Sequence, residues 1–440
     1  MRGSDSLLPL SALLRVGLRF SPENRFPLVQ RKSKMTTIET VKGFQDFLPP
    51  ESLKRKEIVK VVEKWFRLYG FLPVETPIVE FDELMRSSDL PSEGEDEAVS
   101  SRFKLQDRGG RNLGLRYEFT FQLARLLKQN PNLKMPFKRY QIGPVFRDEP
   151  TSSRRFRQFT QCDIDILGDN TTNADAECLS CFTEILKELK ISSEIEINNR
   201  ALLQSIIESV QIRNAKAVMR ELDKIEKLGV DQVKVNLKKL ANPNQIITLL
   251  KLLEKDINFF RQNAFSGVEQ LEELIEKCKL YGIKIKFNPY LIRGLGYYTG
   301  NIFEIKETGK DSIAGGGRYD KTIARFLPND VPAVGISFGL ERLTELTSIK
   351  LPSLPKALLL SINQEEKTIK LSRVLRKSKI SCTLFFSKPG KALDYANAQK
   401  IPYLIFIGEE ETSKDKFKLK DMNSGKETLL SEKQLLSKLK

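Results

Sequence analysis

Between residues 51 and 70, Leu53, Ile58, Val61, Val62, Trp65, Phe66 and Tyr69 fall largely on one helical stripe, which predicts an amphipathic helix. Phe71 to Glu80 reads as an extended segment interrupted by Pro73 and Pro77, and those prolines place it at a sheet edge or an interface. Phe103–Gln106 and Leu113–Glu118 flank an Asp-Arg-Gly-Gly-Arg stretch, a hairpin signal. Phe137–Arg147 and Arg157–Leu167 are two more strand-like runs joined by a polar loop. From about 171 to 285 the pattern is mostly helical, with Leu and Ile at three- and four-residue spacing. Strand-like sequence returns near 301–306, followed by a Gly-rich turn and by a helix after Gly339. This order predicts an antiparallel-rich α+β domain with a helical insertion.

The tail from Pro355 has a different rhythm. Ala357–Ile362, Ile380–Phe386 and Tyr403–Ile407 are apolar runs separated by helical segments, the layout of a small α/β domain. Charge adds to the picture. The chain of 440 residues carries 73 Lys and Arg against 57 Asp and Glu, a net charge of +16. Residues 351–440 hold 18 Lys and Arg and 10 Asp and Glu, so half of the excess lies in about a fifth of the length. A basic domain of this kind suits a polyanionic partner such as nucleic acid.

Histidine is absent from the whole chain. That excludes a Ser-His-Asp or Cys-His catalytic engine, a His-ligated metal and a histidine pH switch. The five cysteines, Cys162, Cys178, Cys181, Cys278 and Cys382, are odd in number and scattered, which fits a reducing, cytoplasmic setting. Cys178 and Cys181 read as buried helix positions rather than half of a zinc site. No apolar run reaches the ~18 residues of a membrane span. Residues 1–34 are Arg-rich and acid-poor, with Arg2, Arg15, Arg19, Arg25, Arg31, Lys32 and Lys34 against Asp5 and Glu23. They are expected to be a poorly ordered extension. A transit peptide and a start site assigned too early, with Met35 as the true beginning, are both compatible with it.

The central segments carry the chemistry. Alternation along Arg157–Leu167 puts Gln161, Asp163 and Asp165 on one face and Cys162, Ile164 and Ile166 on the other. Such a strand suits the floor of a polar ligand site. Arg147, Arg154, Arg155 and Arg157 crowd the same region, and guanidinium forks suit phosphate oxygens. Arg293-Gly294-Leu295-Gly296-Tyr297-Tyr298-Thr299-Gly300 is Gly-punctuated and aromatic, able to bring backbone and tyrosine hydroxyls close to a ligand. Gly315-Gly316-Gly317-Arg318-Tyr319-Asp320 repeats the theme. Gly335 to Leu343 looks like a strand, a Gly turn and a helix start, with Arg342 in the first turn near a helix N-terminus.

Together these pieces resemble class II aminoacyl-tRNA synthetases, and within them the histidyl-tRNA synthetase family. The resemblance runs from about Lys42 to the C-terminus. Lys42 to Pro50 resembles the family's opening, and Tyr69-Gly70-Phe71 through Thr76-Pro77 resembles class motif 1, a dimer-interface element. Phe146-Arg147-Asp148-Glu149 resembles motif 2 and Gly339-Leu340-Glu341-Arg342 motif 3, while Arg293–Thr299 and Gly316–Asp320 resemble the histidine-specific parts. The resemblance implies an antiparallel-sheet catalytic domain over 35–350, a helical insertion at about 171–285, and an anticodon-binding domain over 355–440. It implies activation of histidine by ATP with Mg²⁺, transfer to the 3′ end of tRNA(His), and a cytoplasmic homodimer. Arg147, Glu149, Arg155 and Arg342 would bind ATP, with Arg147 on the α-phosphate. Glu118, Thr120, Gln161, Asp165, Arg293, Tyr297, Tyr298 and Tyr319 would bind histidine. Arg147 and Arg293 would be the catalytic pair.

One residue departs from the family pattern: Gly296 stands where the family usually has Asp, which removes a carboxylate beside the tyrosines. Two non-catalytic alternatives share the resemblance. One is the regulatory subunit of ATP phosphoribosyltransferase, which lacks the C-terminal domain, and the other is a module that senses uncharged tRNA. A histidine-free chain also consumes none of the product that such a synthetase makes. Its own translation is therefore expected to continue when charged tRNA is scarce.

Overall fold

The computed structural model describes residues 38–85, 101–152, 155–293, 298–308, 312–324 and 327–440. Residues 1–34, Arg154, Gly296 and Tyr297 lie outside the described residues.

The predicted first helix is α1, Glu51–Leu68, which buries Ile58, Val62 and Phe66. Its end turns at Gly70, whose φ of +78° is a left-handed conformation natural to glycine. The Pro-interrupted segment gives two short strands, β1 (Leu72–Pro73) and β2 (Val79–Phe81). The expected hairpin forms as β3 (Lys104–Gln106) and β4 (Asn112–Leu115), which with β2 makes a three-stranded sheet in the order β2-β4-β3. After α2 (Phe121–Gln129) come the two long strands β5 (Phe137–Phe146) and β6 (Gln158–Leu167), paired antiparallel along their length.

Next is α3, Thr172–Glu188, where Cys178 and Cys181 are both fully buried. Within the stretch expected to be mostly helical, Ser193–Asn199 is a strand, β7. Its Ile195 and Ile197 alternate with polar residues, a short period-two signal flanked by long helical patterns. A run of helices follows: α4 (Arg200–Ser209), α5 (Ala215–Leu222), α6 (Ile225–Leu228), α7 (Val230–Leu237), α8 (Pro243–Leu252), α9 (Ile257–Gln262) and α10 (Val268–Leu280). Asn199, Asn214, Asn242 and Asp256 cap four of them by accepting backbone N–H bonds.

The chain returns to the main sheet with β8 (Lys286–Phe287), β9 (Asn301–Glu307), β10 (Ser312–Arg318), α11 (Asp320–Ala324), β11 (Ala333–Gly339) and α12 (Leu340–Leu346). The eight strands lie in the order β1-β5-β6-β11-β10-β9-β7-β8. The inner six run antiparallel, and β1 and β8 add short parallel edges. Gly315–Gly317, expected as a turn, sits inside β10 near the middle of this sheet. A Cβ at Gly316 would collide with Gly335 O and the Phe303 ring, and one at Gly315 with the Arg293 guanidinium. Close approach of neighbours, not chain reversal, accounts for these glycines.

One face of the sheet packs on α1 and α3. Phe182 stacks on Phe338 with ring centroids 3.7 Å apart, and Phe66 lies 6.0 Å from Phe182. Cys162, Ile164 and Ile166 point into this core, as the alternation requires. The opposite face of β6 is thereby left for polar work.

The tail forms a separate five-stranded sheet from β12 (Ala357–Ser361), β13 (Cys382–Phe385), β14 (Tyr403–Ile407), β15 (Phe417–Asp421) and β16 (Glu427–Leu430), in the order β13-β12-β14-β15-β16. β13, β12 and β14 are parallel; β15 and β16 are antiparallel additions. Two helices, α13 (Glu365–Lys377) and α14 (Pro389–Ala398), make the crossovers between parallel strands. Ala357 and Leu359 of β12 enter one apolar cluster and Leu358 and Leu360 another, so its uninterrupted apolar run is buried on both faces.

Candidate active site

The polar face of β6 forms the floor of a cavity of about 290 Å³. Gln161, Asp163 and Asp165 all line it. Register explains the space above them. Across the ladder on β11, their partners are Gly339, Ser337 and Gly335 respectively. A Cβ at Gly335 would overlap the Asp165 carboxylate. Small residues opposite three polar side chains open the cavity without breaking the sheet.

Asp165 is buried and held from two sides. The Tyr319 hydroxyl donates to its Oδ1, and Arg139 of β5, with no exposed side-chain surface, forms an ion pair with its Oδ2. Asp163 accepts a hydrogen bond from the Ser337 hydroxyl, and Gln161 Nε2 donates to the same Ser337 Oγ at 3.0 Å. Gln161 Oε1 is buried with no hydrogen-bond partner among the described residues. Glu118 lines the cavity from the segment before α2, where it accepts the backbone N–H groups of Thr120 and Phe121, the latter at 2.9 Å. This places its carboxylate at a helix N-terminus.

Burial dominates the acid–base character of these groups. It raises Glu118 and Asp165 above the usual carboxylate range. It pushes Asp163 up to about 8, with Arg139 pulling the other way and Asp165 adding to the rise. The Tyr319 phenol is driven well above its ordinary value by burial, reinforced by Asp165.

Two arginines bring positive charge to the same cavity. Arg147 follows β5, donates through Nε to Tyr117 O at 3.1 Å and lies 5.0 Å from the Phe159 ring centroid. Arg293 lies against Gly315 of β10, ion-pairs with Glu304 and donates to Ser312 Oγ at 2.7 Å. Strand β11 separates β6, which carries Phe159, from β10. The two guanidinium groups therefore reach the cavity from opposite sides of β11.

The cavity also takes in Thr120, Tyr298 and Tyr319, so eight of the sequence-derived site residues converge: Glu118, Thr120, Arg147, Gln161, Asp165, Arg293, Tyr298 and Tyr319. Three do not line it. Arg342 bonds to Glu345 at 2.8 Å and Glu307 at 3.3 Å, and borders a neighbouring hollow with Lys54 and Arg55. Glu149 and Arg155 face each other at 3.7 Å in the loop between β5 and β6. Tyr297 lies outside the described residues. Asp163, Ser337, Ser312 and Arg139 join the site or support it without having been assigned a role from sequence. Alternation had already put Asp163 on the polar face. Ser337, Ser312 and Arg139 become visible only through strand register.

A family model described as histidyl-tRNA synthetase matches residues 43–343, and one described as an anticodon binding domain matches residues 356–440. The chain is 38% identical over 414 residues to a histidine–tRNA ligase 1 of Bacillus cereus, covering 89% of this chain and 94% of that protein. It is 32% identical to a histidine–tRNA ligase of Clostridium tetani, covering 88% of this chain and 95% of the relative. Among solved structures, the histidyl-tRNA synthetase of a Nostoc species superposes with a TM-score of 0.80 at 28% identity, covering 91% of this chain and 98% of that one.

Proposed function

The chain belongs to the histidyl-tRNA synthetase family and has the activity of a histidine–tRNA ligase; from that premise we propose how its residues perform the reaction. Histidine lies across the cavity with its carboxylate toward Arg147 and Arg293 and its ammonium toward Glu118, Thr120 and Gln161. The imidazole sits among Asp165, Tyr298 and Tyr319. The observation that carries this reading is the polarity of the cavity: buried carboxyl groups on its floor and two guanidinium groups from either side of β11.

The first step is in-line attack of the histidine carboxylate on the α-phosphorus of ATP, giving histidyl-adenylate and pyrophosphate. Two anions must be brought together, so positioned cations are the main requirement. Arg147 grips the α-phosphate. Arg293 neutralises the carboxylate and the charge that builds between the two. Glu149, Arg155 and Arg342 hold the remainder of the nucleotide, outside the cavity that receives the amino acid. Among the described residues no group of three or more His, Cys, Asp or Glu side chains forms a metal cage. Mg²⁺, bound together with ATP, would supply further charge neutralisation. The second step passes the histidyl group to the terminal ribose of tRNA(His), and the basic domain over 355–440 engages the anticodon region.

The catalytic domain spans 35–350, with its helical insertion at about 171–285. A homodimer buries the motif 1 region, where Leu68, Leu72, Val79 and Phe81 are exposed large apolar side chains. A cytoplasmic setting is part of this reading, supported by the scattered, unpaired cysteines. No helix among the described residues is long and apolar enough to cross a membrane. The non-catalytic alternatives fit less well, because both proposed catalytic arginines line the cavity and the anticodon-binding domain is present.

The test is ATP–pyrophosphate exchange that depends on histidine. Arg147→Ala and Arg293→Ala should each abolish it, and a wild-type rate in either variant refutes the role assigned.

A further inference from the structure

Two carboxyl groups lie two residues apart on the same strand face, in unequal company. Asp165 has the Tyr319 hydroxyl on one oxygen and Arg139 on the other. Asp163 is 6% exposed and lines the same cavity, yet among the described residues one hydrogen bond reaches it, from the neutral hydroxyl of Ser337. No ion pair involves it among the described residues. Arg139, the cation that acts on Asp163 electrostatically, is committed to Asp165 by its ion pair, so a ligand cation would supply the direct partner that the Asp163 carboxylate has not got among the described residues. The neighbours point to where that ligand charge sits. Gln161, hydrogen-bonded to the same Ser337, has an unpartnered Oε1. Glu118, close enough to raise the Asp163 carboxyl electrostatically, lines the cavity beside Thr120.

We propose that Asp163 is a further substrate-binding residue, a second carboxylate that receives the histidine α-ammonium together with Glu118 and makes the site demand a free amino group. The proposal rests on the ligase reading above. Ser337 is a positioning residue: its hydroxyl fixes the carboxylate and links it to Gln161, so that three acceptor groups converge on one ammonium. Burial, which pushes Asp163 up to about 8, favours its protonated form before histidine binds. The arriving ammonium favours the ionised form and displaces that proton to solvent.

The experiment compares histidine with 3-(imidazol-4-yl)propionate, which has the ring and carboxylate and lacks the amine. In Asp163→Asn the KM for histidine in pyrophosphate exchange should rise about tenfold or more, the loss expected of a charge-assisted hydrogen bond. The KM for ATP and the inhibition constant of the amine-free acid should stay within about threefold of wild type. Ser337→Ala should shift in the same direction by less. Equal losses for both ligands, or no loss for histidine, overturn the proposal while leaving the ligase reading intact. Exchange by wild type that ignores histidine overturns both. If Asp163→Asn does not fold, wild type carries the test by calorimetry near pH 8 in buffers of different ionisation enthalpy. Histidine should release more protons on binding than the amine-free acid, and equal release overturns the proposal.

Discussion

Arg293 lies so close to Gly315 that even a methyl group on that glycine would overlap its guanidinium. The contact ties the arginine proposed to be catalytic to the centre of the sheet, while Glu304 and Ser312 hold it from the side. Gly315→Ala should therefore displace Arg293 and leave the fold standing. A misplacement of this order lowers adenylation by about 10²-fold. Pyrophosphate exchange at saturating histidine, with the circular dichroism of the variant unchanged, is the check; full activity would show that Arg293 can move without cost.

The acid on the cavity floor makes stability depend on pH. Glu118 and Asp165 face Asp163 and raise it, after burial itself, while Arg139 and the Ser337 hydroxyl favour its ionised form. Its folded pKa, about 8, lies above the unfolded value of roughly 3.9. The folded state then binds the proton more tightly. The stability this contributes is fully present below the unfolded pKa and is lost as pH rises through 8. Asp163→Asn removes the dependence, so its melting temperature should gain on wild type between pH 5 and pH 8 and run parallel above. A constant difference across that range would mean that the folded protein keeps Asp163 ionised.

Below the ligand-facing layer, Arg318 and Asp175 form a buried ion pair at 2.6 Å, with side chains 6% and 0% exposed. Arg318 also donates to Asp169 O at 2.9 Å and to Thr171 O, and it directly precedes Tyr319. Asp175→Ala would leave the buried guanidinium with only the longer pairing to Asp320 at 3.7 Å and should cost about 3 kcal/mol in urea unfolding. Asp175→Asn, which retains an acceptor, should cost less. Equal losses from the two would assign the effect to packing.

The absence of histidine from 440 residues predicts a behaviour of synthesis rather than of structure. Placing several histidine codons at exposed positions should reduce production of the chain during histidine starvation, measured against an untouched control protein. No extra loss relative to the native sequence would remove the idea.

Much of this architecture was legible in one dimension, because burial on one face writes itself as alternation. Gln161, Asp163 and Asp165 could be assigned to the cavity side before any coordinate was known, and Cys162, Ile164 and Ile166 to the core. The three apolar runs of the tail likewise pointed to a small α/β domain, and its first strand is buried on both faces. What stayed hidden depends on partners distant in sequence. Gly315–Gly317 carries the composition of a turn; only the nearness of Arg293, Phe303 and Gly335 makes glycine necessary in a strand. Arg139 looks like any strand arginine until register sets it opposite Asp165. Ser337 acquires meaning from Asp163 across the ladder. Arg342 was assigned with the nucleotide, and its bonds to Glu307 and Glu345 keep it apart from the cavity where the amino acid would lie.

The alternation of β6 has a consequence for translational accuracy. A slip of one position would turn Cys162, Ile164 and Ile166 toward the ligand and drive three polar groups into the apolar interior. A wrongly paired copy thus forfeits its discriminating surface and its cohesion in the same event. Defective molecules would fall silent instead of attaching the wrong amino acid.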